Sequence, residues 1–142
     1  TMTLSAYQKI TLGASGVIAF AIGSFILFAP HAIYASYGIG LANDPNLLSE
    51  LRAPGAALAA MGGIMLVGLV RETITTVSFV VAFTVYLAFP AGRAISLIAD
   101  GVPSSSILGA LAIEVVMAGL LLAAFARPSM QIRDDGPNGL AR

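Results

Sequence analysis

The sequence predicts an all-α integral membrane bundle of four transmembrane helices with both termini in the cytoplasm. Three observations carry that prediction. The chain is 58% hydrophobic and only 10% charged, with a mean hydropathy of +0.92, whereas an average soluble domain carries about 25% charged residues. The apolar excess is gathered in four runs, roughly 10–29, 53–70, 73–92 and 106–126, each near the ~20 residues that a helix needs to cross the hydrocarbon core. Finally, four crossings put Lys9, Arg71, Arg127, Arg133 and Arg142 on the side of the termini and leave Arg52 and Arg93 on the other, and basic residues favour the cytoplasmic side. The division is a transmembrane domain over 1–128 and a polar cytoplasmic tail over 129–142.

Each element has its own signals. The first helix is expected from near Ser5 to Pro30, because proline lacks the donor that an interior helical turn requires. Its apolar core exceeds the ~7–15 residues of a signal-peptide core, so it is read as a retained helix. Residues 31–45, rich in Tyr, Gly and Asn, are expected to form a loop. Asp44-Pro45 marks the next start, since Asp caps and Pro suits the first turn, and that helix should run to about Val70. Arg71-Glu72 makes a tight connection. The third helix enters with Thr73, Thr75, Thr76 and Ser78, is interrupted by a kink at Pro90, and continues to Ala99. Asp100-Gly101-Val102-Pro103 is a turn, and Ser104 to Ser106 offer caps for the last helix. Arg127-Pro128 closes it. The tail, with Gly136-Pro137-Asn138-Gly139, reads as non-helical.

Small residues at four-residue spacing, Gly55, Ala59 and Gly63 on one helix and Ala19 and Gly23 on another, suit close helix packing in lipid. Met61, Met65 and Met117 are packing residues. Without Trp, interfacial anchoring falls to Tyr7, Tyr34 and Tyr37.

Glu114 stands near the middle of the last apolar run, where a carboxylate is costly and faces a protein partner or a wet cavity. Counting helical rise from Arg71 and Arg127 puts Glu114 roughly 20 Å up and Glu50, Arg52 and Arg93 about 28–33 Å up. His31 and Asp100 fall at the same outer level. These residues form the candidate site: Arg52, Arg93, Glu114, Glu50, Asp100, His31 and Tyr86. Tyr86, Arg93, Ser96 and Asp100 share one face of the third helix. Glu50 and Arg52, two apart, point in different directions; Arg52 is expected to face the interior, with Ala56, Ala59 and Gly63 on one stripe. Arg52 or Arg93 would then reach Glu114, which when desolvated needs such a partner. Arg93 is expected within salt-bridge reach of Glu50, Asp100 or Glu114. The structural alternatives are snorkelling of Glu50 and Asp100 into water, structural pairing for the two arginines, an interhelical hydrogen bond for Glu114, and a solvated loop position for His31.

The residues Asn46-Leu-Leu-Ser-Glu-Leu-Arg-Ala-Pro-Gly55, Gly92-Arg-Ala-Ile-Ser96 and Asp100-Gly-Val-Pro-Ser104, with the acid in the last helix, resemble a bacterial family of small four-helix membrane proteins known only as a domain of unknown function. The resemblance covers about residues 8–127. It implies the fold and a shared polar cluster, and it supplies no activity.

Zero net charge gives no basic patch for nucleic acid. The absence of Cys removes disulfides and thiol chemistry, and a single His cannot form a His-ligated metal site. No cofactor, metal site or catalytic residue is implied, and the lack of a nucleophile–base pair argues against an enzyme. The expected function is that of a small non-catalytic protein of the bacterial inner membrane. It would be an accessory subunit of a larger membrane complex, or a binder of a lipid-like amphipathic ligand through the Arg/Glu cluster near the outer face. The alternative is a proton-coupled transporter using Glu114. Expected partners are the bilayer, a larger complex or a second copy, and a lipid-like ligand.

Overall fold

The computed structural model describes residues 4–126. Arg127, Arg133 and Arg142, and the non-helical reading of the tail, lie outside the described residues. The described chain is all helical: α1 (Ala6–Phe28), α2 (Pro30–Ser36), α3 (Pro45–Val67), a short 3-10 turn (Glu72–Ile74), α4 (Thr75–Ala99) and α5 (Ser105–Phe125). Four helical segments are long and apolar enough to span a membrane: α1, α3, the 3-10 turn with α4, and α5.

Local chemistry explains the boundaries. At the start of α1, the Gln8 amide donates to Ser5 Oγ at 3.2 Å and the Ser5 amide donates to Gln8 Oε1 at 3.0 Å, so two otherwise orphaned donors are satisfied reciprocally. Gln8 Nε2 also donates to the Ala124 carbonyl at 2.9 Å, tying the start of α1 to the end of α5. Helix α3 starts where Asp44 accepts from the Asn46 amide at 2.9 Å, with Pro45 in its first turn.

The expected loop over 31–45 is corrected in its first six residues, because Pro30–Ser36 is the helix α2. Proline ends α1 through the non-helical residue before it, Ala29, and then opens a new helix, since its missing donor costs nothing at the first position. Gly38, at φ 78°, closes α2: its amide bonds to the Ala35 carbonyl and the Ile39 amide to that of Tyr34. That paired closure needs a left-handed residue, which glycine adopts without strain. Ser104 occupies the position before α5 but does not cap it; its hydroxyl donates to the Tyr37 carbonyl at 3.0 Å and pins the α4–α5 turn to α2. Pro90 does not break α4, which runs as one helix to Ala99.

The helices form an antiparallel ring in the order α1, α3, α4, α5. α1 and α3 meet backbone to backbone. A Cβ on Gly23 would lie 2.7 Å from the Gly55 carbonyl oxygen, and one on Gly62 would lie 2.8 Å from that of Gly16. The expected stripe is corrected by one residue: Gly62 is the close contact, while Gly63 has open space. Helical periodicity of 3.6 favours alternating steps of three and four over a strict four. Two buried hydroxyls of α4 fasten it to the end of α3. Thr75 donates to the Gly68 carbonyl at 2.9 Å, and Ser78 donates to that of Ile64 at 2.7 Å, which also accepts from the Gly68 amide.

The core lies at the end of the bundle away from α2. Leu12, Met65 and Leu121 are fully buried there, with Phe79, Ala82 and Met117 around them. Buried positions stop at Tyr86 on α4 and begin only at Met117 on α5. The α2-side halves of these two helices are therefore not packed into the core.

Candidate functional site

In that uncored half, Arg93 of α4 and Glu114 of α5 meet. Arg93 Nε lies 2.9 Å from Glu114 Oε2 and 3.1 Å from Oε1, and the side chains are 30% and 14% exposed. One donor thus engages both carboxylate oxygens. The terminal nitrogens of the guanidinium make no hydrogen bond to another described residue. The helices account for the meeting: α4 and α5 are antiparallel neighbours, and no buried apolar residue occupies the seam at this level. A desolvated charge requires a partner, and the pair supplies one on each side.

The pair borders a cavity of about 530 Å³ between α1, α2, α4 and α5. Its walls are apolar, from Ile18, Ile22, Val85 and Ile113 among others, and its polar atoms come from Arg93, Glu114, Tyr34, Tyr37, Tyr86 and Ser106. The volume is that of a small-molecule site, and apolar walls with a few convergent polar groups are the usual chemistry of one. A second, more open groove of about 570 Å³ runs along the outside of the α4–α5 seam, and Phe89, Arg93 and Ile107 line both. The guanidinium therefore stands in the wall between the cavity and the groove.

The seven residues selected from sequence divide. Arg93, Glu114 and Tyr86 border the cavity together. Tyr86 is buried and its hydroxyl donates to the Ser15 carbonyl of α1 at 2.7 Å, which holds α4 against α1 beneath the cavity floor. The other four are elsewhere. Arg52 does not reach Glu114; its guanidinium donates to the Leu27 carbonyl. The last carbonyls of α1 have no partner within their helix, and a cation at a helix C-terminus is favoured by the dipole, so Arg52 caps α1. Glu50 is exposed. Asp100 is exposed and accepts from Ser96 Oγ at 2.9 Å, one turn back on its own helix. His31 is exposed on α2. The expected ring at one level is therefore a single ion pair, one cap and three exposed polar residues. Equal depth along the helices does not bring side chains together when they leave the helices in different directions.

Tyr34 and Tyr37, expected from sequence as interfacial anchors, also line the cavity. Their rings pack edge to face with centroids 6.2 Å apart. Burial, with a smaller contribution from Tyr37, raises the Tyr34 phenol above its ordinary range, against a lesser lowering by Arg93. The signal for their position is Pro30: a helix opened there places residues 34 and 37 on one face.

A family model described as Domain of unknown function (DUF4345) matches residues 7–125. The chain belongs to that family. No curated protein and no solved structure matches it.

Proposed function

We propose that this member of the DUF4345 family is a non-catalytic membrane protein that holds an amphipathic ligand. The ligand's polar head would sit by Arg93, Glu114, Tyr34 and Tyr37, with its tail along the apolar walls. The observation that carries this reading is the cavity. It combines a volume suited to a small molecule, mostly aliphatic walls and a compact polar group at the unpacked end of the bundle. The groove outside the same seam gives the ligand a lateral route from the bilayer.

The basic residues favour a membrane orientation with both termini in the cytoplasm and the cavity near the outer face, in the inner membrane of a bacterium. A cysteine at Asn43 should then react with an impermeant reagent from outside, and one at Glu72 should not; the reverse would invert the topology. The protein would act as a ligand-holding accessory subunit of a larger membrane complex. Proton-coupled transport through Glu114 is the weaker reading, because Arg93 already engages both carboxylate oxygens.

The test is native mass spectrometry of the protein released from a mild detergent and exposed to twelve-carbon, single-chain amphiphiles with neutral, anionic and cationic heads. A 1:1 adduct with at least one of them, lost when Ala110→Trp fills the cavity, is expected. No adduct with any head group, or adducts indifferent to Ala110→Trp, would overturn the reading.

A further inference from the structure

The polar end of the cavity has a charge balance that selects among head groups. Arg93 and Glu114 cancel formally, and no other charged side chain of the described residues lines the cavity. Glu114 has both oxygens on Arg93 Nε. The terminal guanidinium nitrogens remain open, and the hydroxyls of Tyr34 and Tyr37 make no hydrogen bond to another described residue. Tyr34, like any phenol, is protonated at neutral pH and can donate. The open guanidinium N–H groups and phenol O–H groups thus supply donors beside the lone pairs left on Glu114, while the surroundings are neutral in sum and mostly apolar.

An anionic head would gain those donors but would also bring an uncompensated negative charge beside Glu114. In a low-dielectric cavity such a charge is expensive, and the existing pair cannot neutralise it without breaking. A cationic head would meet the positive guanidinium, and by competing with Arg93 for the remaining lone pairs of Glu114 it would bring an uncompensated positive charge. An uncharged head that presents carbonyl oxygens accepts from the guanidinium fork and the phenols and leaves the charge balance unchanged. Resting on the amphiphile reading above, we infer that the cavity selects an uncharged, carbonyl-bearing amphiphile, such as an ester or a quinone-type ring, with the carbonyl oxygen on the open edge of Arg93. The ion pair then serves as a neutral donor platform. Arg93's place in the wall between groove and cavity lets the same edge meet the head as it enters.

The experiment compares monolaurin with dodecyl phosphate, which share a twelve-carbon chain, by native mass spectrometry at neutral pH. Monolaurin should bind 1:1 and at least tenfold more tightly than dodecyl phosphate. Replacing the pair with Arg93→Leu and Glu114→Leu together removes the donors without stranding a charge, and should weaken monolaurin at least tenfold. Tyr34→Phe with Tyr37→Phe should weaken it less, by about threefold. Equal or tighter binding of dodecyl phosphate would overturn the neutral-head inference and leave the amphiphile reading standing. So would monolaurin binding unchanged in the Arg93→Leu, Glu114→Leu protein. Failure of both probes and of a cationic twelve-carbon amphiphile would overturn both readings. The wild-type comparison decides the head-group question even if the double variant does not fold.

Discussion

The α1–α3 seam and the α4–α5 seam join helices of similar length and solve opposite problems. Along α1–α3, glycines 16, 23, 55 and 62 remove side chains so that the backbones touch. Lipid tails are as apolar as leucine, so helices gain little from hiding apolar surface and associate through close packing instead. Along the α2-side half of α4–α5 there is no such contact. Buried positions end at Tyr86 and resume at Met117, and the gap is spanned by one ion pair beside open volume. The difference teaches that the bundle is built as a rigid half, packed on glycine contacts and a few buried hydroxyls, and an open half, spanned by an ion pair. Binding is expected where packing has been given up.

The sharpest way to break the comparison is to overfill the tight seam. Gly62→Leu should cost at least the ~3 kcal/mol at the upper end for overpacking, because the new side chain meets backbone that cannot yield. Gly63→Leu, one residue on and facing open space, should fall within about 0.5 kcal/mol. Thermal challenge followed by size-exclusion chromatography reads both; similar losses would mean that the α1–α3 register is different.

Next comes the loose seam. Glu114→Gln leaves Arg93 without its ion partner, which costs ~3–5 kcal/mol for a fully buried pair. With Arg93 30% exposed, a loss well below that range is expected, and the same thermal assay measures it. The Arg93→Leu, Glu114→Leu protein should be more stable than the single variant, since no charge is stranded. A double variant less stable than Glu114→Gln would show that the pair itself, and not its completeness, holds the seam.

Tyr86→Phe tests the boundary between the halves. It removes one interhelical hydrogen bond to the Ser15 carbonyl, and such bonds average about 0.6 kcal/mol in membrane proteins. A larger loss would place Tyr86 in the rigid half's framework. Smallest of all, Ser104→Ala removes an exposed bond to the Tyr37 carbonyl and should lower stability by no more than about 0.5 kcal/mol. Its clearer readout is hydrogen exchange, which should speed up in α2 and the α4–α5 turn and nowhere else.

Arg93 and Glu114 are legible in the amino-acid sequence, because a carboxylate deep in an apolar run demands a partner and few cations stand within reach. Arg52 is legible there as a cation near a helix end but not as a cap. The cap depends on how closely Leu27 approaches it, which follows from the glycine contacts of α1 with α3. Tyr34 and Tyr37 are not legible as cavity residues because Pro30 carries two meanings, the end of one helix and the start of another, and only the folded chain uses both.

What the sequence by itself determined is what acts along one chain. Hydrophobic length dictated four spans, Ser5 with Gln8 and Asp44 with Pro45 dictated starts, and the cost of burying a charge dictated that Glu114 be paired. What the tertiary structure alone decided is what depends on rotation about helix axes. It chose Gly62 over Gly63, sent Arg52 to Leu27 and Arg93 to Glu114, and left a cavity where α4 and α5 do not pack. A shift of one residue turns a helical side chain by about 100°, and apolar spans in lipid carry little periodicity to fix that angle, so packing between helices sets it.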